Sequence, residues 1–131
     1  MTRHALTPAS VFDSTQFGFS QAVTTDGGTT IHVSGQVGWD PDSGVVGPDL
    51  ASQLDGALRN LALVLDAASA HLRDVASLRI YVVEEAAGDL APIRVGLQRY
   101  FPSDPPAATW LVVNRLADPA MLIEVEATAV R

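Results

Sequence analysis

Apolar residues recur at two different spacings along the chain, and the changes of spacing divide it into elements. Residues 19–24 and 29–38 carry alternating patterns that predict two strands. Asp26-Gly27-Gly28 between them is a hairpin signal, because glycine accepts the positive φ of tight turns. A turn at Asp40-Pro41-Asp42-Ser43-Gly44 ends the second strand. From Asp49, a residue suited to capping, Leu54, Leu58, Leu61, Leu65 and Ala68 follow at helical spacing and define one apolar stripe. Such a helix needs a sheet to pack on. The β-branched and aromatic run Leu78-Arg79-Ile80-Tyr81-Val82-Val83 predicts the next strand. Asp89 then caps a shorter helix with Leu90, Ile93, Leu97 and Phe101 on its buried side, and Pro92 is tolerated in the first turn. After the loop from Pro102 to Pro106, strands are expected over about 108–114 and 121–130. The order β-β-α-β-α-β-β gives an α+β fold with both helices on one face of a sheet. The other face needs cover, so association of several copies is physically sensible.

Composition narrows the class. A length of 131 residues predicts one domain, and 47% hydrophobic content with 10 glycines and 8 prolines suits a globular core. No apolar run reaches the length of a membrane span, and Met1 to Pro8 lacks the hydrophobic stretch of a secretory signal, so no membrane is expected and the cytoplasm is the expected location. The absence of cysteine excludes disulfides and thiolate chemistry. His4, His32 and His71 are scattered without ligand spacing, so no metal site is expected. A net charge of -7, with eight Lys and Arg spread along the chain, argues against nucleic-acid binding, which needs a clustered basic surface.

Several segments carry a resemblance. Phe17-Gly18-Phe19-Ser20-Gln21-Ala22-Val23, the strand segment Val33-Ser34-Gly35-Gln36-Val37, the helix segment Ala57-Leu58-Arg59-Asn60-Leu61 and the closing run Pro106-Ala107-Ala108-Thr109-Trp110 with Ile123-Glu124-Val125-Glu126 occur in the order and spacing of one family. Together they resemble the reactive intermediate deaminase (RidA, YjgF-like) family. The resemblance spans nearly the whole chain. It implies the chorismate-mutase-like fold, a homotrimer whose three sheets form a barrel, and three ligand clefts between subunits. It implies no metal or organic cofactor. Some relatives carry an endoribonuclease label, which the acidic charge of this chain opposes.

The same resemblance assigns roles to residues. Deaminating members carry Pro-Ala-Arg where this chain has Pro106-Ala107-Ala108, and that arginine grips the substrate carboxylate through a bidentate contact. Ala108 removes it, and Phe19 replaces a usual tyrosine and so lacks its hydroxyl. Ala108, Trp110, Val112 and Asn114 share one strand face, so Ala108 and Trp110, with Thr109 between them, are expected at a cleft more apolar than usual. Trp110 is otherwise a core aromatic. Ser34 is expected as a hydrogen-bond donor, and Gly35 as a place where a ligand approaches the backbone closely. Glu124 falls where the family has the glutamate that orients the attacking water, a role for a general base. Glu126, on the same face, is expected to be solvated and paired with arginine, and Arg115 to be structural. Arg94 either restores an anion anchor from another direction or stands in solvent. Two functions follow: hydrolysis of an imine or enamine, or a related water addition, on a small and atypical substrate; or a noncatalytic small-molecule-binding or regulatory trimer.

Overall fold

The computed structural model describes residues 1–131. Its strands are β1 (Thr2–Leu6), β2 (Ala22–Asp26), β3 (Thr30–Gln36), β4 (Trp39–Asp40), β5 (Gly44–Val45), β6 (Val75–Val83), β7 (Ala107–Val113) and β8 (Ile123–Val130). The predicted helices form as α1 (Leu50–Ala67) and α2 (Ala91–Tyr100). Asp49 caps α1, its carboxylate accepting from the Ser52 amide at 2.8 Å and from the Ser52 hydroxyl, and these bonds hold it below the usual carboxylate range. The cap of α2 differs by one residue from expectation. Leu90 takes the N-cap position, while Asp89 accepts from the Ala91 amide at 3.0 Å.

The main sheet has four strands in the order β3-β8-β6-β7. β8 runs antiparallel to both neighbours, and β7 runs parallel to β6, as the crossover through α2 requires. Along β8, buried Ile123, Val125, Ala127 and Ala129 alternate with half-buried Glu124, Glu126 and Thr128. The first set packs with Leu54, Leu58, Leu61 and Leu65 of α1 and Ile93 and Leu97 of α2 in one core of 19 buried residues. Both helices therefore cover one face of the sheet. The opposite face carries the glutamates.

The expected hairpin does not form. Gly27 and Gly28 do take positive φ, 75° and 82°, but β2 pairs with β1, and β3 pairs with β8. The glycine pair carries the chain from one sheet to another. Gly28 passes so close to the chain end that a methyl group there would meet the Arg131 carbonyl oxygen at 2.6 Å. Residues 19–21 are not strand; a 3-10 turn over Ser14–Phe17 precedes β2, and Ser20 makes a single parallel bridge to Ala107. The β1–β2 ribbon is tied to the main sheet by Arg3, whose guanidinium donates twice to the Val75 carbonyl, at 3.2 and 2.9 Å.

Candidate functional site

The glutamate face is built by two polar residues of α1 that fix its flanking strands. Gln53, only 2% exposed, donates to the carbonyls of Gly47 and Ala120 at 3.2 and 2.9 Å and accepts from the Leu122 amide at 2.7 Å, which sets the start of β8. Asn60 donates to the carbonyls of Val37 and Trp39 at 2.9 and 2.8 Å and so holds the chain leaving β3. Between these anchors β3 bulges: Val33 pairs with Ala127 but Gln36 with Val125, so Ser34 and Gly35 face a single residue of β8.

The bulge sets Gly35 against Glu124. A methyl group on Gly35 would collide with the Glu124 carboxylate, lying 2.7 Å from Cδ, so the glycine makes room for that side chain. Glu124 is half-buried and lines a hollow of about 250 Å³ with Gly35, Tyr81, Val113, Arg115, Leu116 and Glu126. Tyr81 pairs with Glu124 across the strands, and its hydroxyl donates to Glu126 Oε1. That bond to a carboxylate, followed by burial, raises the Tyr81 hydroxyl above its usual range. Glu126 is thus bonded to tyrosine and forms no ion pair with an arginine, although Arg79 is its strand partner. Arg115, expected to be structural, lines the same hollow, and its only hydrogen bond runs from Nε to the Leu116 carbonyl at 3.2 Å.

A second hollow, of about 360 Å³, lies on the other side of β7 among Phe17, Leu90, Ala91, Arg94 and Trp110. Arg94 is exposed and makes no hydrogen bond or ion pair within the chain. Trp110 is half-buried, packs against the core and leaves its indole N–H without an acceptor. Its ring meets Phe19 at 5.8 Å between centroids, and Phe12 stands edge-on to both Phe19 and Phe17, at 6.5 and 6.4 Å.

The expected site residues therefore fall into two groups. Gly35 and Glu124 meet in one hollow, and Arg94 and Trp110 in the other, with Phe19 against Trp110. Ala108 packs half-buried on the core, and Ala108, exposed Thr109 and exposed Ser34 line neither hollow. Ser34 makes no side-chain hydrogen bond; its carbonyl accepts from Gln36 at 3.1 Å. Strand register separates the groups: Ala108 and Trp110 are level with buried Leu78 and Ile80 on the helix side, whereas Glu124 is level with Tyr81 on the other. A larger hollow, about 590 Å³, lies among Thr7, Thr15, Ser20, Gln98 and Asp104 and contains none of these residues. Sequence reading missed Tyr81, Phe12 and Phe17. Tyr81 is recognisable only once the β6–β8 register is known, and Phe12 precedes the matched segments.

Two closing strands with a glutamate beside a Ser-Gly bulge, backed by two helices, define a Rid-type domain. The chain matches the family described as Endoribonuclease L-PSP over residues 13–131 and belongs to that family, which includes the YjgF and Rid proteins. It is 33% identical to a RutC family protein of Pyrococcus abyssi, over 85% of this chain and 84% of that one. It is 34% identical to the 2-iminobutanoate/2-iminopropanoate deaminase of Rattus norvegicus, over 86% and 80% of the two chains. The crystal structure of YyfB from Yersinia pestis, a Rid-family protein of unknown function, superposes with a TM-score of 0.94 at 40% identity over the full length of both chains. No helix is long and apolar enough to cross a membrane.

Proposed function

We propose that this chain forms a cytoplasmic homotrimer of single-domain subunits that hydrolyses imines or enamines of a small metabolite, with each site shared between two copies. The observation that carries this reading is the division of the family's cleft positions between opposite faces of one sheet. Glu124 under Gly35 supplies one half, and Trp110 with Arg94 and Phe19 the other, so a complete site requires a second subunit. The outer edge of β7 supports the same reading. It is bridged only at Ala107, and Leu111 and Val112 along it are 38% and 55% exposed, an edge that favours association.

The chemistry follows from the carboxylate. Water adds its oxygen to the C=N carbon while Glu124 accepts one of its protons, and the nitrogen takes up a proton as the C–N bond breaks. Each imine consumes one water and yields one carbonyl compound and one ammonia. The relatives named as iminobutanoate and iminopropanoate deaminases support this reaction type. Ala108 sets the substrate apart: without a guanidinium there, imines of small amino acids lose a charge-assisted contact of about 1.5 to 3 kcal/mol and should turn over weakly.

Glu124→Gln tests the proposal, since the amide keeps size and hydrogen bonding but cannot take the proton. Turnover should fall by about a hundredfold or more with ligand binding retained. Glu126→Gln, which can still accept from Tyr81, should be nearly silent. The Ala108 substitution also favours a second reading, a binding module without chemistry. Binding with no turnover in the wild type would establish that reading and overturn the hydrolase.

A further inference from the structure

We infer that the hollow beside Trp110 selects an aryl anion, a ligand with one planar apolar group and one carboxylate. This rests on the reading above and specifies its substrate class: the imine of an aryl-bearing amino acid. Every side chain lining the hollow is apolar except Arg94. Phe17 and Trp110 line it, and Phe12 and Phe19 link these two rings behind it through edge-on contacts of Phe12 with Phe17 and Phe19 and a tilted contact of Phe19 with Trp110; Phe17 and Phe12 remain 39% and 59% exposed. Aromatic rings offer a further ring the same offset and edge-on contacts they make with one another. A volume of about 360 Å³ is at the small end of ligand cavities and accommodates a benzyl group with a short acid tail.

The charge of the ligand follows from Arg94. In a chain of net charge -7 its guanidinium has no carboxylate partner, whereas Arg99, on the same helix, lies 3.7 Å from Asp55. A guanidinium left free at the rim of an apolar hollow is complementary to a planar carboxylate, which it can bind with two parallel hydrogen bonds. Arg94 thereby offers the carboxylate a contact from α2, beside the rings rather than at position 108 on β7, so that only a ligand whose ring occupies the hollow reaches it well, and imines of small amino acids still lack an anchor. The ring wall and the guanidinium together favour a ligand that has both groups over one that has either alone.

Calorimetric titration of the assembled protein with three probes tests this: phenylpyruvate with ring and carboxylate, pyruvate with the carboxylate alone, and phenylacetone with the ring alone. Phenylpyruvate should bind at least about tenfold more tightly than either of the others. Arg94→Gln should lower phenylpyruvate to the level of phenylacetone and leave phenylacetone unchanged, whereas Arg99→Gln should alter neither. Trp110→Ala should remove the advantage of phenylpyruvate over pyruvate, and Trp110→Phe, which keeps a ring, should retain most of it if the alanine variant fails to fold. Equal affinity for pyruvate and phenylpyruvate, no response to Arg94→Gln, or no binding of any probe overturns the inference. Hydrolysis of small-amino-acid imines without aryl binding would overturn this inference alone; tight aryl binding without turnover of any imine would overturn the hydrolase reading alone.

Discussion

Glu124 and Gly35 form a pair in which one residue is defined by what the other leaves out. The bulge in β3 brings the backbone of Gly35 against the Glu124 carboxylate, and any side chain there must push the carboxylate away. Gly35→Ala should therefore act through Glu124. Displacing a catalytic group by about 1 Å costs on the order of a hundredfold in rate, so turnover should fall by about tenfold to a hundredfold while the melting temperature changes little, because Gly35 is exposed. Adding Gly35→Ala to Glu124→Gln should then cost little more than Glu124→Gln alone. Independent, additive losses in that double variant would show that Gly35 acts on something other than the glutamate.

At the scale of elements, α1 sets both sides of the Glu124 hollow, through Gln53 to β8 and Asn60 to the chain after β3, so its cap matters beyond the helix itself. Asp49→Ala should lower the melting temperature at neutral pH. The Asp49 pKa is depressed in the folded state, so its contribution is present above the unfolded pKa and is lost as pH falls through the folded one. The difference between wild type and variant should accordingly shrink as the carboxylate is protonated in acid, and a difference that stays unchanged from neutral pH through acid would contradict the cap assignment. The helices and β6, β7 and β8 were legible because each carries its own periodicity or composition, from the leucines of α1 to the β-branched run ending at Val83. Pairing was not legible. Asp26-Gly27-Gly28 has the residues of a hairpin turn, but partner choice depends on which strand lies nearby, and β1 and β8 claimed the strands on either side. The motif named Gly35 and Glu124 separately, and gave no sign that they touch each other or that Trp110 and Arg94 lie across the sheet from them, because both depend on the bulge in β3 and the register of β6 with β7 and β8.

For the whole molecule, the proposal implies that a site distributed over both faces of a sheet is completed only by assembly. The exposed edge of β7 and the half-buried open sheet face offer surfaces for this, and in the proposed trimer each hollow of one copy would meet a counterpart on the next. The claim is tested most directly by mixing two defective subunits, one Glu124→Gln and the other Trp110→Ala, and co-assembling them in equal amounts. With the aryl imine well below saturation, the first variant alone is slowed about a hundredfold and the second about tenfold, but a mixed trimer contains one interface in which an intact Glu124 meets an intact Trp110. Ammonia release from the imine of an aryl amino acid should then recover to about a quarter of wild type, as random assembly of a cyclic trimer gives. Recovery near that level supports the shared site; a mixture no more active than its two components would show that each site lies within a single subunit and contradict the account.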